Sequence, residues 1–233
     1  MVVVKNYIPH SKLSNKIWSE NMIMKDEIKK QLLVISEYFI DYLAIAIDVL
    51  DITMTGSYAN YNYTKYSDID LHIIVDYEEV SDVEDLSKEF FNAKKSFWND
   101  NHDIKLKGIE VELYAQDVNE KHSSTGVYSL MFNKWLIEPK KFKTNIDISS
   151  IKEKYKKVKK EIDETVAQSI KHKNYKLLDS MLKKIKNMRK SGLERAGELS
   201  DENLIYKVLR DNNDLQNLFD IKNNLFDDNL SLI

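Results

Sequence analysis

TGSYANYNYTKYSDIDLHIIVD, residues 55–76, decides the fold: Gly56-Ser57 is followed, after ten intervening residues, by Asp68-Ile69-Asp70. In a strand, successive side chains take opposite sides, so Asp68 and Asp70 project together while Ile69, Leu71, Ile73 and Val75 supply the apolar pattern around them. Two carboxylates this close repel unless a cation lies between them. Hard oxygen ligands suit Mg²⁺ or Mn²⁺, and two such ions can clamp the attacking and leaving oxygens of an in-line phosphoryl displacement. Upstream, residues 49–55 read as a strand running into Gly56-Ser57. There the missing side chain lets the backbone approach a phosphate, an expected helix start offers free N–H groups, and Ser57 adds a hydroxyl donor.

A third carboxylate is expected from a neighbouring strand, and GIEVELYAQD, residues 108–117, supplies one in period-two alternation. Glu110 and Glu112 share a face. Glu112, between Val111 and Leu113, is the preferred ligand and Glu110 the alternative, because spacing alone does not separate them.

This order of strand, Gly-Ser, Asp-x-Asp strand and acidic strand resembles the DNA polymerase beta-like nucleotidyltransferase superfamily over about residues 50–116. The resemblance implies that Asp68 and Asp70 hold both of two Mg²⁺ or Mn²⁺ ions. Glu112 would join the ion that activates an acceptor hydroxyl, with attack on the α-phosphate of an NTP and departure of pyrophosphate. Glu replaces the commoner Asp at the third position. The acceptors implied are a nucleic-acid or tRNA end, another nucleotide, a small molecule or a protein side chain. In related two-domain transferases a helical domain closes the cleft and lends it basic and aromatic side chains, which directs attention to MRKSGLERAGELSDENL, residues 188–204. Arg189, Lys190 and Arg195, with Lys65 beside the Asp pair, are the expected nucleotide-binding cations, ordinary surface charge being the alternative for each. Lys94 and Lys95, on the helix before the third acidic strand, are further available cations, and Lys207 and Arg210 are weaker candidates. A catalytically inactive nucleotide-binding or regulatory module of the same fold is the competing function, and the intact acidic set speaks against it.

The chain of 233 residues, net charge −3, has no overall basic field, which argues against a processive polymer-binding enzyme. The absence of cysteine excludes disulfides, thiolate zinc sites and cysteine nucleophiles, and fits a reducing cytoplasm. No segment reads as a signal peptide or membrane span, so a soluble, cytoplasmic protein with no membrane partner is expected.

Ile28, Leu32, Ile35, Phe39 and Leu43 mark an amphipathic helix over 26–46, and Val83, Leu86, Phe90, Lys94 and Phe97 a second. Residues 127–130 and 134–137 read as a hairpin. Ile151, Tyr155, Val158, Ile162, Val166 and Ile170, then Tyr175, Leu178, Met181, Leu182, Ile185 and Met188, form two long helical stripes. Ser200 is a good N-cap for a further helix. The expected class is α+β: a mixed-sheet nucleotidyltransferase-type domain over 1–144, its N-terminal helix included, and an all-helical domain over 145–233. Tyr58, Tyr61, Tyr63 and Tyr66 either pack the sheet domain or stack on a base. Ser123 to Gly126 either lines the cleft or turns into the hairpin. His102 and His122 read as structural or surface residues, and Trp18, Trp98 and Trp135 as core anchors.

Overall fold

A computed structural model describes residues 4–120, 124–142 and 146–231. The chain divides into two compact units, 9–142 and 1–8 together with 143–233. The sheet unit is mixed α and β, the second unit helical, as the residue patterns require.

Six strands form one sheet in the order β3-β4-β2-β1-β5-β6, with β1 Asp51–Thr55, β2 Ile69–Val75, β3 Lys105–Leu106, β4 Ile109–Asp117, β5 Val127–Ser129 and β6 Lys134–Ile137. Among the described strands only β2 and β4 run parallel. Parallel neighbours need a crossover, and helix α2, Glu84–Asn101, is that connection. Its partner α1, Asp26–Leu43, buries the predicted stripe Ile28, Leu32, Ile35, Phe39 and Leu43. It stops three residues earlier than the periodicity suggests because Ala44 turns left-handed, φ 56°, and its N–H returns to the Asp41 carbonyl.

The strand alternation sorts the sheet into two unlike faces. Ile69, Leu71, Ile73 and Val75 of β2 and Ile109, Val111, Leu113 and Ala115 of β4 are buried in the core with α1 and α2 residues. The register places Asp51, Thr53 and Thr55 of β1, Asp70, His72 and Ile74 of β2, Glu112, Tyr114 and Gln116 of β4 and Ser129 of β5 on the opposite face. Trp18 and Trp98 are core residues, while Trp135 is partly buried and stacks on Trp18 with ring centroids 4.5 Å apart.

In the helical unit, α3 Ile148–His172, α4 Tyr175–Ala196, α5 Asp201–Asp211 and α6 Asp214–Leu230 follow one another. Asp147, Asn174 and Ser200 cap the first three through side-chain oxygens that accept backbone N–H groups. The stripes bury Ile151, Tyr155 and Ile162 on α3 and Leu178, Met181 and Ile185 on α4, but Ile170 is exposed in the last turn of α3, which the left-handed Lys173 caps by returning its N–H to the Ile170 and Ser169 carbonyls. The short 3-10 helix Val4–Tyr7 belongs to this unit rather than to the sheet unit, and the Tyr7 hydroxyl donates to Asp211. No helix among the described residues is long and apolar enough to cross a membrane.

Candidate active site

The polar sheet face reaches its greatest acidity at the starts of β2 and β4. Parallel register sets Asp70 beside Glu112, and neighbouring strands are only about 4.8 Å apart. Asp68 lies one residue before β2 rather than within it. Glu110 shares the exposed side of β4 with Glu112 but faces Lys105 of β3, whose Nζ is 3.6 Å away. Asn99 of α2 pins the next residue of β4, its amide donating to the Leu113 carbonyl and accepting the Leu113 N–H, each at 3.1 Å. A polar cavity of about 310 Å³ lined by Asn99, His102, Glu110 and Glu112 opens beside it.

Gly56 closes the other side. Thr55, at the end of β1, pairs in register with Asp70, and Gly56 has φ +71°. A Cβ built on Gly56 would lie 1.7 Å from Asp70 Oδ2, so the Asp70 carboxylate rests against the bare Cα. Any side chain here would displace the carboxylate and also meet the left-handed backbone penalty.

The segment after Gly56 is a turn rather than the helix start expected from the sequence. Asn60 N–H returns to the Ser57 carbonyl, and the following N–H, of Tyr61, is captured by the Asn60 side chain. Asn competes with a helix in this way by bonding locally to the backbone. The turn docks on the start of β5, where a Cβ on Gly126 would lie 2.0 Å from the Ala59 carbonyl and Asn60 donates to Thr125. The turn still carries backbone N–H groups and the Ser57 hydroxyl as donors, without a helix dipole behind them. Tyr58 and Tyr61 are buried, Tyr63 and Tyr66 half-buried. Burial pushes the Tyr58 hydroxyl above its ordinary pKa, reinforced by Tyr63 and by the negative charge of Asp68.

The predicted cations are dispersed. Lys65 lies over the Tyr66 ring at 4.8 Å, Lys94 donates to the Tyr42 carbonyl of α1, and Lys95 lies over Tyr114. Within the helical unit, Arg189 stacks on Tyr206 and donates to Asn203, Arg195 pairs with Glu202 at 2.7 Å, Lys190 reaches Glu194 at 4.0 Å, and Lys207 pairs with Glu198. His102 stacks on Trp98 and bonds its carbonyl, a structural role as expected. His122 and Ser123 lie outside the described residues.

Sequence reasoning passed over His72, Thr55 and Gln116. The His72 ring bonds Thr55 Oγ1 through Nε2 at 3.0 Å and Gln116 Oε1 through Nδ1 at 2.6 Å. The signal was present: positions 68, 70 and 72 share one period-two face, and His72 continues the polar face of Asp70 into the strand. Further along, Tyr114 donates to Glu120, and burial together with that carboxylate pushes its hydroxyl up to about 12.

Among the described residues no group of three or more His, Cys, Asp or Glu is assembled that could hold a metal ion unaided. This donor set nevertheless suits Mg²⁺, which is held by one or two carboxylates together with substrate phosphates rather than by an all-protein cage. Asp70 and Glu112, hard oxygen ligands on adjacent strands with Asp68 just ahead, are such a set.

The family model for the nucleotidyltransferase domain matches residues 35–187, and the chain belongs to that family. A solved structure of a STING-associated CdnE c-di-GMP synthase from Capnocytophaga granulosa is similar at 17% identity, covering 88% of this chain and 84% of that one, with a TM-score of 0.25. A search of curated protein sequences gives no significant match.

Proposed function

We propose that this chain transfers a nucleoside monophosphate from an NTP to a hydroxyl acceptor: the acceptor oxygen bonds to the α-phosphorus, the bond to the bridging oxygen breaks, and pyrophosphate leaves. The observation that carries this reading is the in-register pair Asp70 and Glu112 with Gly56 held bare against the Asp70 carboxylate. Asp68, Asp70 and Glu112 would hold Mg²⁺ or Mn²⁺, Glu110 being drawn instead toward Lys105. Such ions, when bound, neutralise charge on the attacking and leaving oxygens.

The chain's own residues then bind and orient. Gly56 leaves room for the Asp70 carboxylate against its bare Cα, and Ser57 with the N–H groups of the turn donates to the triphosphate oxygens. Asn99 fixes the height of β4 and so the reach of Glu112. The triphosphate keeps negative charge that two divalent ions only partly neutralise, so Lys65 and the basic residues Arg189, Lys190 and Arg195 add to its affinity. On this reading the sheet unit, residues 9–142 rather than the expected 1–144, is the catalytic domain, and residues 1–8 with 143–233, rather than 145–233, form the helical one, acting in the cytoplasm.

The test is incubation of the full chain with each α-labelled NTP, Mg²⁺ or Mn²⁺, and pools of RNA, nucleotides, small hydroxyl compounds and protein, with the product mass identified. Label in a product that gains one nucleoside monophosphate supports the reading. Saturable NTP binding with no label transferred to any pool overturns it in favour of a nucleotide-binding module.

A further inference from the structure

Thr55 presents a chemical problem at this site. It is the direct cross-strand partner of Asp70 on the same face, and directly opposite residues have Cβ atoms about 5 Å apart. At that spacing a threonine hydroxyl can be turned toward the carboxylate that faces it. A hydroxyl that donates there occupies a lone pair and draws electron density from an oxygen on which a divalent cation depends.

The structure gives that proton another acceptor. Gln116 Nε2 donates to the Glu120 carbonyl at 3.3 Å, which fixes the amide so that Oε1 faces His72. Oε1 only accepts, so His72 Nδ1 carries the ring proton in the 2.6 Å bond. In the neutral ring Nε2 is then an acceptor, and the Thr55 hydroxyl at 3.0 Å donates to it. The register makes this a diagonal chain over three strands: Thr55 stands level with Asp70, His72 one pleat further on, and Gln116 level with Ile74. Tyr114, ring centroid 4.8 Å from His72, meets the imidazole edge-on and holds its plane.

We propose that His72 is a positioning residue that accepts the Thr55 hydroxyl as a hydrogen-bond donor and so keeps that proton off Asp70, where it would compete with a divalent cation. This rests on the reading of Asp70 as a cation ligand. It makes a signed claim that a merely structural role does not make: without His72, Thr55 becomes inhibitory, and removing its hydroxyl restores the site.

Mn²⁺ binding, read by electron paramagnetic resonance of the free ion with and without a non-hydrolysable NTP analogue, tests this without turnover. His72→Phe keeps the ring contact with Tyr114 and removes both nitrogens; the Mn²⁺ Kd rises about fivefold, the equivalent of one redirected hydrogen bond. His72→Asn, smaller and polar, weakens binding in the same direction and covers the case in which the Phe variant folds poorly. Thr55→Val alone leaves Kd at the wild-type value, and Thr55→Val added to His72→Phe returns it to within about twofold of wild type. Unchanged Kd in both His72 variants overturns the proposal, and so does a double variant as weak as His72→Phe or weaker. Wild-type protein that binds no Mn²⁺ in either condition overturns both this and the cation site. Wild-type protein that binds Mn²⁺ but transfers no nucleotide overturns the proposed function alone, while the four affinities still decide the role of His72.

Discussion

The sheet face and the corner between α4 and α5 treat charge in opposite ways. At the corner, each base has a local partner: Arg195 has Glu202, Lys190 has Glu194, Lys207 has Glu198, and Arg189 has the Tyr206 ring and Asn203. On the sheet, the backbone ladder sets Asp70 beside Glu112 and Gly56 against Asp70, whatever the repulsion. Charges free to relax find opposite partners, whereas charges fixed by strand register are held side by side although they are alike. That difference separates a folded surface from a candidate site.

The strongest way to break the comparison is to remove a carboxylate. Asp68→Ala or Asp70→Ala lowers nucleotide transfer by at least about 10³, since several kcal/mol of charge stabilisation go with the ligand. The melting temperature stays level or rises as like-charge repulsion falls. Label transfer alongside a thermal melt checks both, and transfer near the wild-type rate in a folded variant removes the pair from the site.

Gly56→Ala comes next, because its Cβ is aimed at Asp70 Oδ2 and its φ is positive. A left-handed alanine alone costs about 1–2 kcal/mol, so the melting temperature drops by several degrees, and transfer falls by about 10² as the carboxylate is displaced. An active, equally stable variant would show that the turn yields without consequence.

Glu112→Gln against Glu110→Gln sharpens the same comparison within one strand. Glu112 stands beside Asp70 and Glu110 beside Lys105, so the first loses at least about tenfold more transfer activity than the second. Equal losses, or the reverse order, would transfer the ligand role to Glu110.

The smallest effects belong to the corner. Arg189→Ala weakens NTP affinity severalfold, and Arg195→Ala by about twofold because Glu202 already answers its charge; Lys156→Ala changes nothing. Titration at two ionic strengths reads this, with the arginine variants the less salt-sensitive. Wild-type affinity in both would leave the corner as ordinary surface charge.

Local periodicity carried much of this into view. The alternation of Ile69, Leu71, Ile73 and Val75, the stripe of α1 and the run from Gly56 to Asp70 depend only on near neighbours along the chain, so composition and spacing define them. The turn after Gly56 escaped because the choice between helix and turn was made by Asn60 and by docking against Gly126, a contact across 67 positions of sequence. Spacing put Glu110 and Glu112 on one face and could go no further. Strand register, a long-range property imposed by the α2 crossover, put Glu112 beside Asp70. The same register built the chain Thr55, His72, Gln116 from three strands, each of whose polar residues reads in isolation as an ordinary strand position. Period-two side-chain direction is written in the sequence, but which strands become neighbours, and at what offset, is settled only when the whole core closes.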